Sequence, residues 1–141
     1  MSQCFGRAPT ITPGADMLAG TPGDDVIVGL GGDDEIRGGG GDDRICGGDG
    51  NDRVSAGDGE DMVAGAADAD ELFGGGGSDR LLGLAGTDRI RGEYGDDAIS
   101  GGDGGDRLDG GRGFDTAAGG EGIDTCSGED RSGCERPKKK T

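Results

Sequence analysis

From residue 11 onward a single aliphatic residue returns every nine positions, and the residues between are mostly glycine or polar. The series runs Leu18, Ile27, Ile36, Ile45, Val54, Val63, Leu72, Leu81, Ile90, Ile99 and Leu108, and Ala117 and Cys126 then hold the same phase. An amphipathic helix needs an apolar residue every three to four positions, so this spacing excludes one. One aliphatic side chain between two outward neighbours suits a strand of about three residues. The glycine-rich stretches between strands read as tight turns. The pattern predicts thirteen consecutive nonapeptides over residues 11–127, each a loop followed by a short strand, with no insertion or deletion.

The sixth position of every nonapeptide is aspartate: Asp16, Asp25, Asp34, Asp43, Asp52, Asp61, Asp70, Asp79, Asp88, Asp97, Asp106, Asp115 and Asp124. Glycine holds the fourth position throughout except at Asp68, and the first except at Ile11 and Ala56. Glycines allow backbone conformations closed to other residues, and so let carbonyl oxygens converge beside the aspartate. A set of hard oxygen donors without nitrogen or sulfur selects calcium over zinc or copper.

Composition sharpens this picture. The chain has 141 residues, of which 37 are glycine and 29% hydrophobic, and its net charge is −16. Such a chain cannot build an ordinary core, and without its periodicity it would read as disordered. There is no histidine, and the only lysines are Lys138, Lys139 and Lys140. That excludes histidine-based triads, zinc-hydrolase motifs and a Walker phosphate loop. The acidity argues against nucleic acid as a partner, and no apolar run is long enough for a membrane span. Carboxylates repeated at equal intervals do not look like one active site, so no enzyme is expected.

The repeat resembles the RTX (repeats-in-toxin, haemolysin-type) calcium-binding nonapeptide G-G-x-G-x-D-x-U-x. That resemblance implies an all-β fold, a right-handed parallel β-roll (β-solenoid) with two nonapeptides per turn and about six and a half turns. Odd-numbered repeats then line one side and even-numbered repeats the other. Loops stack as repeat n on n+2, giving at most about eleven inter-loop calcium sites. The thirteen aspartates carry over as calcium ligands, completed by loop carbonyls. Repeat 65–73 places Asp68 in a tight corner, and Glu93, Tyr94 and Ile11 also depart from the pattern. Several ions are therefore expected rather than a full set, with weaker or distorted sites at the loop containing Asp68.

One inward aliphatic residue per nonapeptide is little to set against the ordering of so much glycine. About eight Ca²⁺ ions would match the formal charge of −16. Folding and calcium binding are expected to be one event.

The expected organisation is an N-terminal cap segment over residues 1–10, the roll over 11–127, and a C-terminal cap with a basic tail over 128–141. The four cysteines allow three pairings. A roll roughly 30 Å long, at about 4.8 Å per strand, separates Cys126 from Cys4. Cys126–Cys134 and Cys4–Cys46 are the expected disulfides, the alternative being four buried free thiols. Similarity to exported actinobacterial calcium-binding proteins implies a secreted, extracellular protein. No signal segment precedes Cys4, which suits a mature form.

On the odd side, Glu35, Arg53, Glu71 and Arg89 should stack with alternating sign as an ion-pair ladder. The even face, with Val26, Val28, Met62, Ala64, Leu82, Ala98 and Ala118, is more apolar. It is expected to pack on the N-terminal segment or form a homodimer. Two alternatives to a plain calcium-binding module are an adhesion or ice-binding solenoid and the detached repeat module of a secreted hydrolase or toxin.

Overall fold

A computed structural model describes residues 14–122 and the strand at residues 125–127. The two expected cap segments, and with them Cys4 and Cys134, lie outside the described residues. Thirteen strands follow one another, one per nonapeptide. They are β1 (Met17–Ala19), β2 (Val26–Val28), β3 (Glu35–Gly39), β4 (Arg44–Gly48), β5 (Arg53–Asp58), β6 (Met62–Ala66) and β7 (Glu71–Gly76). The series continues with β8 (Arg80–Ala85), β9 (Arg89–Glu93), β10 (Ala98–Asp103), β11 (Arg107–Asp109), β12 (Thr116–Glu121) and β13 (Thr125–Ser127).

Odd and even strands separate completely. One sheet has the order β1-β3-β5-β7-β9-β11-β13 and the other β12-β10-β8-β6-β4-β2. All neighbours pair in parallel, each residue opposite the one 18 positions on, as Val54 is opposite Leu72 and Leu72 opposite Ile90. Since 18 residues is two nonapeptides, each turn of the solenoid lays one strand on each sheet, giving about six turns. This is the all-β parallel solenoid that the repeat resemblance implied.

The core is the ladder of eighth-position side chains from both sheets. Ile36, Ile45, Val54, Val63, Leu72, Leu81, Ile90 and Leu108 are fully buried and belong to one continuous cluster. Alternation along the strand explains it, because only the middle residue of each three points between the sheets.

Most strands are longer than the three residues expected. β5, for example, runs six residues to Asp58 because Gly57 and Asp58 also pair with Gly75 and Gly76 on β7. The glycines that open each loop thus continue the ladder before the chain turns. Their second position has positive φ throughout the middle of the roll, and four non-glycine residues, Leu30, Ala66, Leu84 and Glu93, are held there too.

The outward faces differ from expectation in two respects. On the odd sheet the ladder registers Glu35 with Arg53, Arg53 with Glu71 and Glu71 with Arg89. Ion pairs form between Arg53 and Glu71 at 3.6 Å, and within β3 between Arg37 and Glu35 at 3.0 Å. Glu35 is thus drawn to its own strand, since Arg37 points out on the same side two residues away. On the even sheet, Val28 and Ala64 are buried rather than exposed. With Cys46 and Ala66 they contribute to a second apolar surface, where Cys46, Ala64 and Ala66 cluster against the half-buried Leu82 and Leu84.

Candidate metal centre

The sixth-position aspartates form two internal columns, one along each edge of the roll. From Asp34 to Asp115, ten consecutive members are at most 3% exposed. Charged carboxylates are almost never buried to this degree unless paired. Their arrangement explains half of the compensation. The backbone N–H of Asp34 donates to Oδ1 of Asp52 at 2.9 Å, and that of Asp52 donates to Oδ1 of Asp70 at 2.8 Å. The same bond recurs from Asp16 to Asp34, Asp25 to Asp43, Asp43 to Asp61, and onward to Asp115. Each carboxylate therefore clamps the loop two repeats before its own.

The second oxygen is different. Oδ2 of Asp34, Asp43, Asp52, Asp61, Asp70, Asp79, Asp88, Asp97 and Asp115 is buried and meets no hydrogen-bond donor. What lies beside it is another acceptor. A Cβ placed on Gly74 would come within 2.6 Å of Asp79 Oδ2 and 2.8 Å of the Gly92 carbonyl oxygen. Gly83 stands in the same relation to Asp88 and Gly101, Gly92 to Asp97 and Gly110, and Gly38 to Asp43 and Ala56. At these positions the first-position glycine thus keeps open a small space faced by a carboxylate oxygen and by a carbonyl from the next loop of the stack, and at Gly47, Gly65 and Gly110 the carboxylate of the same repeat lies nearest. Two acceptors facing one space without a donor call for a cation, and oxygen donors of this hardness suit Ca²⁺. Among the described residues no three acidic or sulfur side chains gather at one point. Each cradle therefore offers one carboxylate, and backbone carbonyls must supply the rest.

Electrostatics give the same reading. Burial pushes the carboxyl of Asp70 up to about 8, and those of Asp52, Asp79 and Asp88 to about 7. Asp61 and Asp97 rise to about 6, and Asp34 and Asp43 are also raised. Desolvation is the largest cause in every case. The backbone N–H that each Oδ1 accepts works against it, and neighbouring carboxylates add to it. In the metal-free roll these groups resist ionisation, and a divalent ion at Oδ2 would remove the penalty.

The sites are not uniform. In the second repeat, Asp25 Oδ2 accepts from the Thr21 N–H at 2.6 Å and is also reached by the Thr21 hydroxyl, so this oxygen already has a partner. Asp16 and Asp25, near the start of the roll, are half-buried. Asp124 lies outside the described residues. The loop containing Asp68 keeps the common backbone shape, with Ala66 and Asp68 both at positive φ. Its Asp70 is buried like the others, and Asp68 Oδ2 accepts from the Gly50 N–H at 2.9 Å. Ala56 is the residue whose importance sequence reasoning missed. It is fully buried at the first position of its repeat and joins the hydrophobic core, whereas glycine holds that position in the other described repeats. The signal was present as a broken glycine phase, but its meaning depends on what faces the Cβ.

A parallel two-sheet solenoid with a column of buried aspartates and glycine cradles along each edge is a calcium-binding repeat protein. The family model for the RTX calcium-binding nonapeptide repeat, in four copies, matches residues 10–45, 37–72, 46–81, 73–108, 82–117 and 100–130. The chain belongs to this family. No curated protein matches it.

Proposed function

We propose that this protein is a non-enzymatic, secreted calcium-binding β-roll that folds as it binds several Ca²⁺ ions. The observation that carries the reading is the row of buried Oδ2 atoms without a hydrogen-bond donor, each beside a glycine cradle except at Asp61, whose repeat begins with Ala56. A polar group buried without a partner is costly, and a buried charge more so. Columns of them make a metal-free roll a poor minimum. Calcium supplies the missing partner, cancels the −16 charge and gives the glycine-rich loops a reason to order.

In this reading Asp34 to Asp115 are the principal ligands, each through Oδ2, with position-one carbonyls of the stacked loop. Asp16, Asp25 and Asp124 belong to the terminal turns and bind more weakly or not at all. Residues 1–10 and 128–141 cap the exposed ends that any solenoid must cover. The pairings Cys4–Cys46 and Cys126–Cys134 tether those caps. In support, Cys46 is fully buried, and no described cysteine is a free thiol. Disulfides and a millimolar-calcium environment together suit an extracellular location. The even face supports a homodimer only through Val26, Ala98 and Ala118, since Val28 and Ala64 are already buried.

Calcium titration by calorimetry, followed in parallel by circular dichroism, tests the reading. Binding of several ions should coincide with the gain of sheet signal. Equal sheet content in excess chelator and in millimolar calcium would overturn the coupling.

A further inference from the structure

The acidic charge of this protein gathers mainly in the loops and the basic charge on the strands. Of the 26 described carboxylates 19 are in loops, whereas seven of the eight described arginines are in strands, Arg112 being the exception. On the odd sheet these are Arg37, Arg53, Arg89, Arg91 and Arg107. Arg37 and Arg53 are engaged by Glu35 and Glu71. Arg89, Arg91 and Arg107 are exposed and make no ion pair among the described residues. Arg89 and Arg107 lie directly opposite one another in the β9–β11 register. Like charges in that position repel. Two acids are in register with them: Glu71, opposite Arg89, is paired with Arg53 at 3.6 Å, and Asp109, opposite Arg91, has its Oδ1 accepting from the Gly111 N–H at 3.1 Å. Beyond the ends of these two strands Tyr94 and Arg112 are bridged to each other, with the guanidinium 5.8 Å from the ring centroid. Tyr94 is 59% exposed.

We infer that this arginine cluster is a docking surface for a sulfated polysaccharide, available only in the calcium-bound protein. A guanidinium presents a planar fork of donors that matches the oxygens of a sulfate. Arg89 and Arg107, one strand apart at about 4.8 Å, can share one such group. Binding it removes their mutual repulsion. On the same sheet a groove of about 610 Å³ is lined by Glu35, Ile36, Arg37, Arg53, Ser55, Phe73 and Glu93; Phe73 is opposite Arg91 in the β7–β9 register, and Arg53 stands 5.5 Å from the Phe73 ring centroid. The surface is therefore a strip along the strand-stacking direction. Its flat part is three residues wide, about 10 Å. That width takes one thin polymer chain, whereas a nucleic-acid duplex would overlap the carboxylate-rich loops at its borders. Calcium is required twice over. It orders the sheet that puts Arg89 opposite Arg107, and it cancels the net charge that would otherwise repel a polyanion.

The inference rests on calcium-coupled folding, and the test separates the two. The full chain is passed over immobilised heparin in millimolar calcium and again in chelator, with circular dichroism on both samples. Retention is expected only in calcium. R89S/R107S should lose at least tenfold in heparin affinity while keeping its calcium-induced sheet signal. R80S, which removes one positive charge from the opposite sheet, should stay within twofold of the parent, and R89S alone should already lose more than R80S. Loss of sheet coupling with calcium would sink the proposed function. Normal coupling without heparin retention, or equal retention of R89S/R107S and the parent, would overturn this inference alone. So would binding of hyaluronan, which carries carboxylates but no sulfate, or of duplex DNA at an affinity equal to that for heparin.

Discussion

The backbone N–H of Asp52 donates to Oδ1 of Asp70 at 2.8 Å across 18 residues of sequence. Asp70 thereby has two separable tasks, since Oδ1 closes the loop before it and Oδ2 faces its own cradle. Asp70→Asn retains an oxygen for the Asp52 N–H but loses the anionic ligand. It should bind about one calcium fewer by calorimetry and still fold in calcium. Asp70→Ala also strands the buried N–H, at a further cost of about 1–3 kcal/mol. Denaturation in calcium reads the difference, and equal stability of the two variants would refute the division of labour.

Cradle volume should control affinity. At Gly74 an added Cβ would sit 2.6 Å from Asp79 Oδ2, so Gly74→Ala is expected to weaken or abolish one site. Ala56 carries that methyl naturally, so Ala56→Gly should strengthen the site that uses Asp61. Calorimetric titration of both variants checks opposite signs, and a shared direction of change would contradict the cradle assignment.

Acid should favour the metal-free roll. The buried carboxyls have folded pKa values raised to about 6–8 for Asp61, Asp97, Asp52, Asp79, Asp88 and Asp70, against roughly 3.9 in an unfolded chain. A raised value means that the folded state holds protons more tightly. This stabilisation is complete below the unfolded value and is lost as pH rises through 6–8. Circular dichroism in calcium-free buffer should show more sheet at pH 4 than at pH 8. Calcium affinity should move the other way, rising over the same interval as protons leave Oδ2. A metal-free sheet signal that is flat or rises with pH would be inconsistent with this.

Glu93 sits at φ 77°, in the position where most turns have glycine. A side chain costs roughly 1–2 kcal/mol in that region, offset in part by the greater entropy that glycine loses on ordering. Glu93→Gly should raise the thermal midpoint of the calcium-bound protein modestly. A lower midpoint would mean that the Glu93 side chain makes a stabilising contact that outweighs its strain.

Much of this molecule was legible in the bare chain because the repeat is uninterrupted. With no insertion in thirteen nonapeptides, the period keeps every core position and aspartate in phase, and the resemblance to the RTX repeat implied the two nonapeptides per turn that lay Leu72 beside Val54 and Ile90. The legible part of the site was equally local: an aspartate and glycines at fixed offsets. What escaped was set by residues two repeats away. The length of β5 depends on Gly57 and Asp58 pairing with β7. The preference of Glu35 for Arg37 over Arg53 is a competition between rotamers that no periodicity expresses.

The sequence by itself determined that the chain repeats every nine residues, buries one aliphatic residue per nonapeptide and sets one aspartate in every loop, and its resemblance to the RTX repeat implied the 18-residue turn. Only the tertiary structure decided what each carboxylate oxygen meets. Stacking brings a backbone N–H to Oδ1 and only acceptors to Oδ2, and it closes the Asp25 oxygen with Thr21. The physical reason is that ligand geometry is made of backbone atoms, which every residue carries and whose positions are fixed only when the loops are stacked.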